Sequence, residues 1–567
     1  MSVVALRRRT VAGAVGVAIG VTAAVVGSAA GLPVPRPPWS GAPAPAADGP
    51  QGRAPAAPRD IPVPPPAPPS PGPTPTPTPA PTQEPPSPPV DPPARLVRPS
   101  TPTDPSQRLV ALGLMWMRPL ATRASRAGDS AALTALVDEA VAFHAAHPDP
   151  GTPTAGWDEG TALRRLEVLN QLFAATADRR LPALMARNVA VLLSDRYYGP
   201  PRYAVHNHGV MANLRVLRAG ELLDRPHWKR RALARMVAEA PFAFSAQGTS
   251  LEQSSQYHQV NVDLWNQAAA QLERAGDPAS VAAARAIRAT TARGAAVGRW
   301  LTEPDGDVVQ IGNADRARGP RRAGSPDPGT GPAVFQDDEA GLAVGRWSWT
   351  DRATTYYTLR YGPPIRAHGQ QDRGGVTWST SGARILVNPG RFGYEKATAY
   401  EAWQSSARSH NVATPADGAP PARRVDVRVE ARALTACTHS YTTSDQEYGR
   451  PHLRHVVVDD CLRSLTVQDA YGGTGRAGDV VQHWHLDPAW VLRGKPRRMP
   501  GGGTAATFTD RSGRTLTVAS TGRIAGVVSG SRAPYAGWWF PSAGRAVPAP
   551  EITVLGGSPV RTTFTLG

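Results

Sequence analysis

Between about residue 107 and residue 302, apolar residues recur at three- and four-residue spacings. Leu109, Leu112, Leu114 and Met115 open one stripe. Leu163, Leu166, Leu169, Leu172 and Phe173 form a second, and Leu181, Leu184, Val189, Val191 and Leu192 a third. That period predicts helices with one buried face. Breaks at Pro148-Asp149-Pro150-Gly151 and Gly199-Pro200-Pro201 divide the block into roughly eight helices joined by short connections. After about 303 the pattern changes to short Val-, Thr-, Tyr- and Trp-rich runs. Examples are 354–359, 383–387, 425–429, 456–458, 515–519 and 562–566. Their period-two alternation, with Gly, Asp and Pro at near-regular intervals, predicts antiparallel sheets stacked as a sandwich. A helical block followed by a β block predicts an α+β chain with two packed domains, 107–302 and 303–567, and not a βαβ fold.

The first hundred residues belong to neither block. Arg7, Arg8 and Arg9 precede an apolar run from Val11 to Gly31, and Ser28-Ala29-Ala30 resembles a small-residue cleavage site. Residues 1–31 therefore read as a signal peptide. The run, at about 20 residues, is also long enough to span a bilayer as an uncleaved anchor. The arginines before Thr10-Val11 resemble a twin-arginine signal. Residues 32–106 are Pro-rich, as in Pro64-Pro65-Pro66 and the Pro-Thr repeat of 73–78. Too little apolar surface is present there to bury, which predicts a disordered, extended spacer. Together these segments predict a secreted or cell-envelope protein on the extracellular side. Cys437 and Cys461, 24 residues apart, are the only cysteines. In an oxidising compartment they predict one disulfide between neighbouring strands.

Composition sharpens the choice of partner. The chain has 60 Pro, 55 Gly and only three lysines, Lys229, Lys396 and Lys495, so arginine carries the positive charge. That skew is the one a GC-rich genome's codon usage would give, but the net charge is still +17. Such a field favours a polyanionic glycan, a nucleic acid or an anionic surface. No dense Lys/Arg run or zinc-knuckle spacing supports nucleic acid.

Three clusters carry candidate chemistry: His206-Asn207-His208-Gly209, Glu252-Gln253-Ser254-Ser255-Gln256-Tyr257-His258 and His368-Gly369-Gln370-Gln371-Asp372. Taken singly, each has a plain structural reading: Asn207 as a helix cap, Tyr257 as core packing, His368 as a turn residue. Taken together they supply an amide, a phenol and several imidazoles. That inventory suits removal of a carbon-bound proton beside a carboxylate and protonation of a leaving oxygen. Arg164 and Arg165 follow Trp157 on a predicted helix and are candidates to meet acidic sugars. Trp378 and Trp403 are candidates to stack on sugar faces.

The order of these clusters resembles the heparinase II/III and alginate lyase families. The same holds for Ile311-Gly312-Asn313-Ala314-Asp315, Arg366–Asp372, Leu386–Tyr394, Arg408-Ser409-His410-Asn411-Val412-Ala413 and Gln482-His483-Trp484-His485-Leu486. The resemblance spans roughly residues 150 to 490 and implies an incomplete (α/α) toroid followed by antiparallel β-sandwich sheets, with a glycan cleft between them. It also implies a lyase acting on a uronate-containing, acidic polysaccharide. Asn207 and His208 match residues that bind the uronate carboxylate, where donors stabilise the charge that develops as the C5 proton leaves. Tyr257 matches a general acid that in some members is also the base. His368 matches a base or leaving-group partner, and Glu252, His258, Arg164 and Trp403 are supporting, substrate-binding candidates.

One departure is chemical. The resemblance implies a metal site, commonly zinc, at three positions held here by Gln370, Asn388 and His410. Amides are poor zinc ligands. The expectation is that the metal is lost and a hydrogen-bond network of these three replaces it. Two other functional readings remain open at this point. One is a non-catalytic glycan-binding or cell-wall scaffold on the same fold. The other is a hydrolase using carboxylates among Asp158, Glu159 and Glu252, since fold alone does not fix the reaction.

Overall fold

The computed structural model describes residues 105–148, 156–194, 206–320, 333–363, 366–395, 398–422, 425–472 and 479–567. The expected signal peptide or anchor at 1–31 and nearly all of the expected spacer at 32–106 lie outside the described residues. The exception is the spacer's end, because Pro105–Leu112 is already helical.

Described residues up to Trp300 form nine α-helices: Pro105–Leu112, Met117–Ala127, Ser130–Ala146, Glu159–Thr176, Leu181–Leu193, Asn207–Leu222, Pro226–Ala243, Ser255–Ala275 and Pro278–Trp300. Their starts are written locally. Asp129, Asp158, Ser254 and Asp277 each accept a backbone N–H of the first turn, which satisfies donors that the helix leaves open. Leu163, Leu166, Leu169 and Leu172 are fully buried, as their spacing predicts, and join Leu181, Val189, Leu192 and Val210 in one core. The first apolar stripe does not continue as one helix. Leu114 adopts a left-handed backbone (φ 56°), so the chain turns there and a new helix begins at Met117.

From Ala333 the described chain is built of antiparallel strands. A five-stranded meander runs in sequence order from Ala333–Asp337 to Ala383–Leu386. An eight-stranded sheet has the spatial order 491–498, 504–509, 515–520, 560–566, 464–471, 452–459, 438–445, 428–434. A four-stranded sheet orders 523–528, 551–556, 480–485, 413–415. Tyr357, Trp378 and Ile385 of the first sheet, Val456, Leu465 and Phe564 of the second, and Trp484 and Ile552 of the third share one core. The alternating burial of Ser464–Tyr471 and Thr515–Ser520 is the pattern of a strand with one face buried. The strand expected at 425–429 begins later, at Arg428. Cys437 and Cys461 form a disulfide with Cα atoms 5.3 Å apart. It links the ends of the paired strands Thr438–Asp445 and His452–Asp459.

The two blocks meet through polar ties. Asp337 Oδ2 accepts from Ser245 Oγ at 2.5 Å and from Thr249 Oγ1 at 2.6 Å. Three loops interlock beside them. Ser255 N–H donates to the Ile311 carbonyl, Asn313 N–H to the His368 carbonyl and His368 N–H to the Glu252 carbonyl. Gly312 makes this close approach feasible. At its φ of +59°, a Cβ would lie 2.3 Å from the Gln253 oxygen and 2.6 Å from the His368 oxygen.

Candidate active site

The interlocked loops bring the three sequence clusters to one place. His206, not Asn207, caps the helix Asn207–Leu222; its Nδ1 accepts the His208 N–H at 3.1 Å. Asn207 is the first helical residue. Its backbone N–H and its Nδ2 both donate to the Glu252 carboxylate, the latter at 3.0 Å. One Nδ2 hydrogen is thus committed to Glu252, and Asn207 as a whole is 4 % exposed. Burial pushes the Glu252 carboxyl up to about 7, against the hydrogen bonds from Asn207 and Asn261.

Tyr257 lies in the first turn of Ser255–Ala275, with its N–H on the capping Ser254 Oγ. Its ring stacks on His368, with centroids 3.4 Å apart and planes at 8°. The Tyr257 hydroxyl is 3.3 Å from the Tyr394 hydroxyl, which is itself 3.3 Å from His368 Nδ1. The His206 ring is 5.4 Å from His368 and 4.4 Å from His208. On the far side, His208 Nδ1 is 3.9 Å from Glu159 Oε1. Burial, then the neighbouring imidazoles of His206 and His208, hold His368 far below the usual imidazole range. Burial lowers His206 and His208 as well. All three rings are therefore neutral at pH 7. The guanidinium groups of Arg164 and Arg391 both interact electrostatically with Tyr257. Arg391 is also anchored on Asp315 at 2.9 Å.

Other expected residues fall elsewhere. His258 is 2 % exposed, and its two ring nitrogens are used by the Ser250 N–H and the Gly294 carbonyl. It buttresses the loop and has no face for substrate. Glu252 is fully buried; its Oε2 accepts from Asn207 Nδ2 at 3.0 Å and lies 3.7 Å from His368 Nε2. Trp403 is 5 % exposed, with its ring enclosed by His485, Tyr535 and Phe540. Trp378 is a sandwich-core residue. Neither indole presents a face to sugar. Arg165 is buried, bonded to Asn188 Oδ1 and to the Leu112 and Gly156 carbonyls. Asp158 is a helix cap, its carboxylate taken by the Thr161 N–H and hydroxyl. Tyr394, Arg391 and His206 were given no role from sequence. The signal for the first two was the phrase Asn388-Pro389-Gly390-Arg391-Phe392-Gly393-Tyr394.

Two of the three positions implied to bind metal are bonded to each other. His410 Nε2 is 2.9 Å from Gln370 Oε1, and Gln370 Nε2 donates to Asn313 Oδ1 at 2.9 Å. Asn388 departs from the expected three-residue network, because its Nδ2 donates to the Gln310 carbonyl. One imidazole, already facing an amide oxygen, and two amides do not fit zinc. Among the described residues no group of three or more His, Cys, Asp or Glu is arranged to hold a metal.

Residues 336–563 match the family described as Heparinase II/III-like, C-terminal. A solved heparinase III structure shares 15% identity, over 80% of this chain and 76% of that one, with a TM-score of 0.66. A mutant of the heparan sulfate lyase HepC from Pedobacter heparinus shares 16% identity, over 83% and 78%, with a TM-score of 0.56. A further heparinase III gene product shares 13%, over 82% and 79%, with a TM-score of 0.58. No curated protein matches the chain. At these identities the structural likeness speaks for the fold, a helical domain of the toroid kind before a β-sandwich. The family match covers most of the β block, so residues 336–563 are a heparinase II/III-like C-terminal domain.

Proposed function

We propose that this protein is an exported polysaccharide lyase that cleaves a uronate-containing polysaccharide by β-elimination. The observation that carries the reading is the convergence of Asn207, His208, Tyr257 and His368. In sequence, 50 residues separate the first from Tyr257, and 111 separate Tyr257 from His368. Heparinase III and heparan sulfate lyase structures share the architecture, which supports an acidic polysaccharide as the substrate class. The basic charge of the chain agrees with that.

In the proposed reaction, Asn207 and His208 meet the uronate carboxylate and stabilise the charge that builds there. The Tyr257 oxygen takes the C5 proton while its own proton passes through the Tyr394 hydroxyl to neutral His368, whose cation the bound uronate carboxylate stabilises against the burial that disfavours it. The C5 electron pair forms the C4–C5 double bond and the C4–O bond breaks. The leaving oxygen takes its proton from Tyr257, and the proton on His368 returns along the same path. Both 3.3 Å separations, one to a hydroxyl oxygen and one to an imidazole nitrogen, are long for a hydroxyl donor, and the proposed path requires that they tighten with substrate bound.

The test incubates the purified chain with a panel of acidic polysaccharides and follows the ultraviolet absorbance of an unsaturated uronate. Tyr257→Phe is expected to lower kcat by about 10²–10⁴-fold. Activity near the wild-type level in that variant overturns the assignment. Binding without an unsaturated product selects the non-catalytic glycan-binding reading. We also propose that the Gln370–His410 hydrogen bond takes the place of a structural zinc. Elemental analysis showing one tightly held zinc per chain overturns this.

A further inference from the structure

The net positive charge is concentrated at one end of the sequence. Residues 488–567 hold ten Arg or Lys and two acids, Asp510 and Glu551. Both acids are satisfied internally. Asp510 pairs with Arg514 at 2.6 Å, and Glu551 is buried and accepts the Gly537 N–H at 2.7 Å. The exposed cations have no acidic counterpart in that stretch. Four lie on one strand, Val491–Arg498, at the open edge of the eight-stranded sheet. Arg493, Lys495, Arg497 and Arg498 are all exposed there, and among the described residues none is in an ion pair.

Edge strands commonly carry a Lys, a Pro or a bulge to block pairing with another chain. Lys495, Pro496 and the irregular register between Arg493 and Arg497 already serve that end. Four cations on eight residues exceed it. The sheet beside them is equally specific. In register, Arg493 lies opposite Thr507, Thr507 opposite Thr517, Thr517 opposite Thr565 and Thr565 opposite Ser464. Paired residues share a face, so a row of hydroxyls runs across the solvent face from the cationic edge. Anionic groups and sugar hydroxyls are what cations beside hydroxyl donors and acceptors recognise. None of the cleft residues lies on this sheet.

We propose that the strand Val491–Arg498 and the adjoining threonine row form a second binding surface for an anionic polysaccharide, separate from the cleft. It holds a long chain on the enzyme independently of the sugar being processed. Binding requires no turnover, so the test is informative whether or not the cleft is an active lyase.

The experiment uses the full chain carrying Tyr257→Phe, so that no polymer is cut, on columns of immobilised heparin, alginate and chondroitin sulfate eluted with salt. The variant R493S/K495S/R497S/R498S is expected to elute at lower salt, with affinity for at least one polymer weakened roughly tenfold or more. A control, R123S/R126S/R179S/R285S, removes the same charge from the helical block and is expected to elute near the parent. Lys495→Glu alone, in the bulge, is expected to shift elution the same way as the quadruple variant, and keeps the test valid if that variant fails to fold. With Tyr257 intact, the initial rate on a tetrasaccharide is expected to be unchanged by the quadruple variant. No shift, or an equal shift in the helical control, overturns the proposal. So does a loss confined to duplex DNA or to phosphatidylglycerol vesicles run in parallel, which reassigns the surface to another partner.

Discussion

Tyr257 gains its setting from residues distant in sequence. Ser254 fixes its helix turn, His368 lies flat against its ring, and Tyr394 meets its hydroxyl. Tyr394 is the residue on which the proposed proton path depends, since it touches both partners. Tyr394→Phe keeps the ring and cuts the path. Its expected effect is a fall in kcat of about 10²-fold with KM little changed, read in steady-state kinetics. An unchanged kcat refutes the path. The sequence supplied the residue types at 206–208, 257 and 368, but not their exposure. His258 and Glu252 look as available as Tyr257 in a linear reading, but both ring nitrogens of His258 are engaged and the Glu252 carboxylate is fully enclosed. The Glu252 carboxylate instead sets the orientation of the Asn207 amide.

Helices and strands were more legible than side-chain roles, because burial on one face imposes a period that survives in sequence. The leucines at 163, 166, 169 and 172 and the alternation at 515–520 are examples. The break at Leu114 was not legible, since a left-handed leucine leaves no compositional mark. Two predictions belong at this scale. The disulfide closes a loop of 24 residues. Removing it by Cys437→Ser with Cys461→Ser is expected to cost about 3 kcal/mol in chemical denaturation, chiefly by freeing the unfolded chain. The second concerns His452, on the strand His452–Asp459. Burial disfavours its cation, but hydrogen bonds to Asp445 at 2.8 Å and Asp469 at 2.9 Å outweigh burial and raise its pKa to about 9. An imidazole raised on folding adds stability that is fully present below its unfolded pKa of about 6.5 and is lost as pH rises through the folded value. The melting temperature is therefore expected to fall between pH 6.5 and pH 9. In His452→Gln, melting is expected to be lower at pH 6 and to lack that decline. A parallel decline in both proteins refutes the assignment.

At the scale of the whole molecule, the site exists only where the helical and β blocks join. Asp337 ties the loop at Ser245 and Thr249 to the first strand of the β block, a few residues before Glu252. Asp337→Ala leaves two buried hydroxyls without their acceptor. It is expected to cost about 3 kcal/mol in urea denaturation and to lower activity together with stability, because the same joint aligns Tyr257 with His368. Full stability in that variant refutes the role given to this tie. The sequence by itself determined that a helical block precedes a sandwich, that two cysteines pair, and which polar residues were available for chemistry. These are properties of local period, spacing and residue type. Tertiary structure alone decided that Tyr394 joins Tyr257 and His368, that His258 and Trp403 are enclosed, and that Gln370 bonds His410 while Asn388 turns to Gln310. Each of those outcomes depends on which distant loops come within about 3–4 Å of one another, and a linear pattern carries no record of that distance.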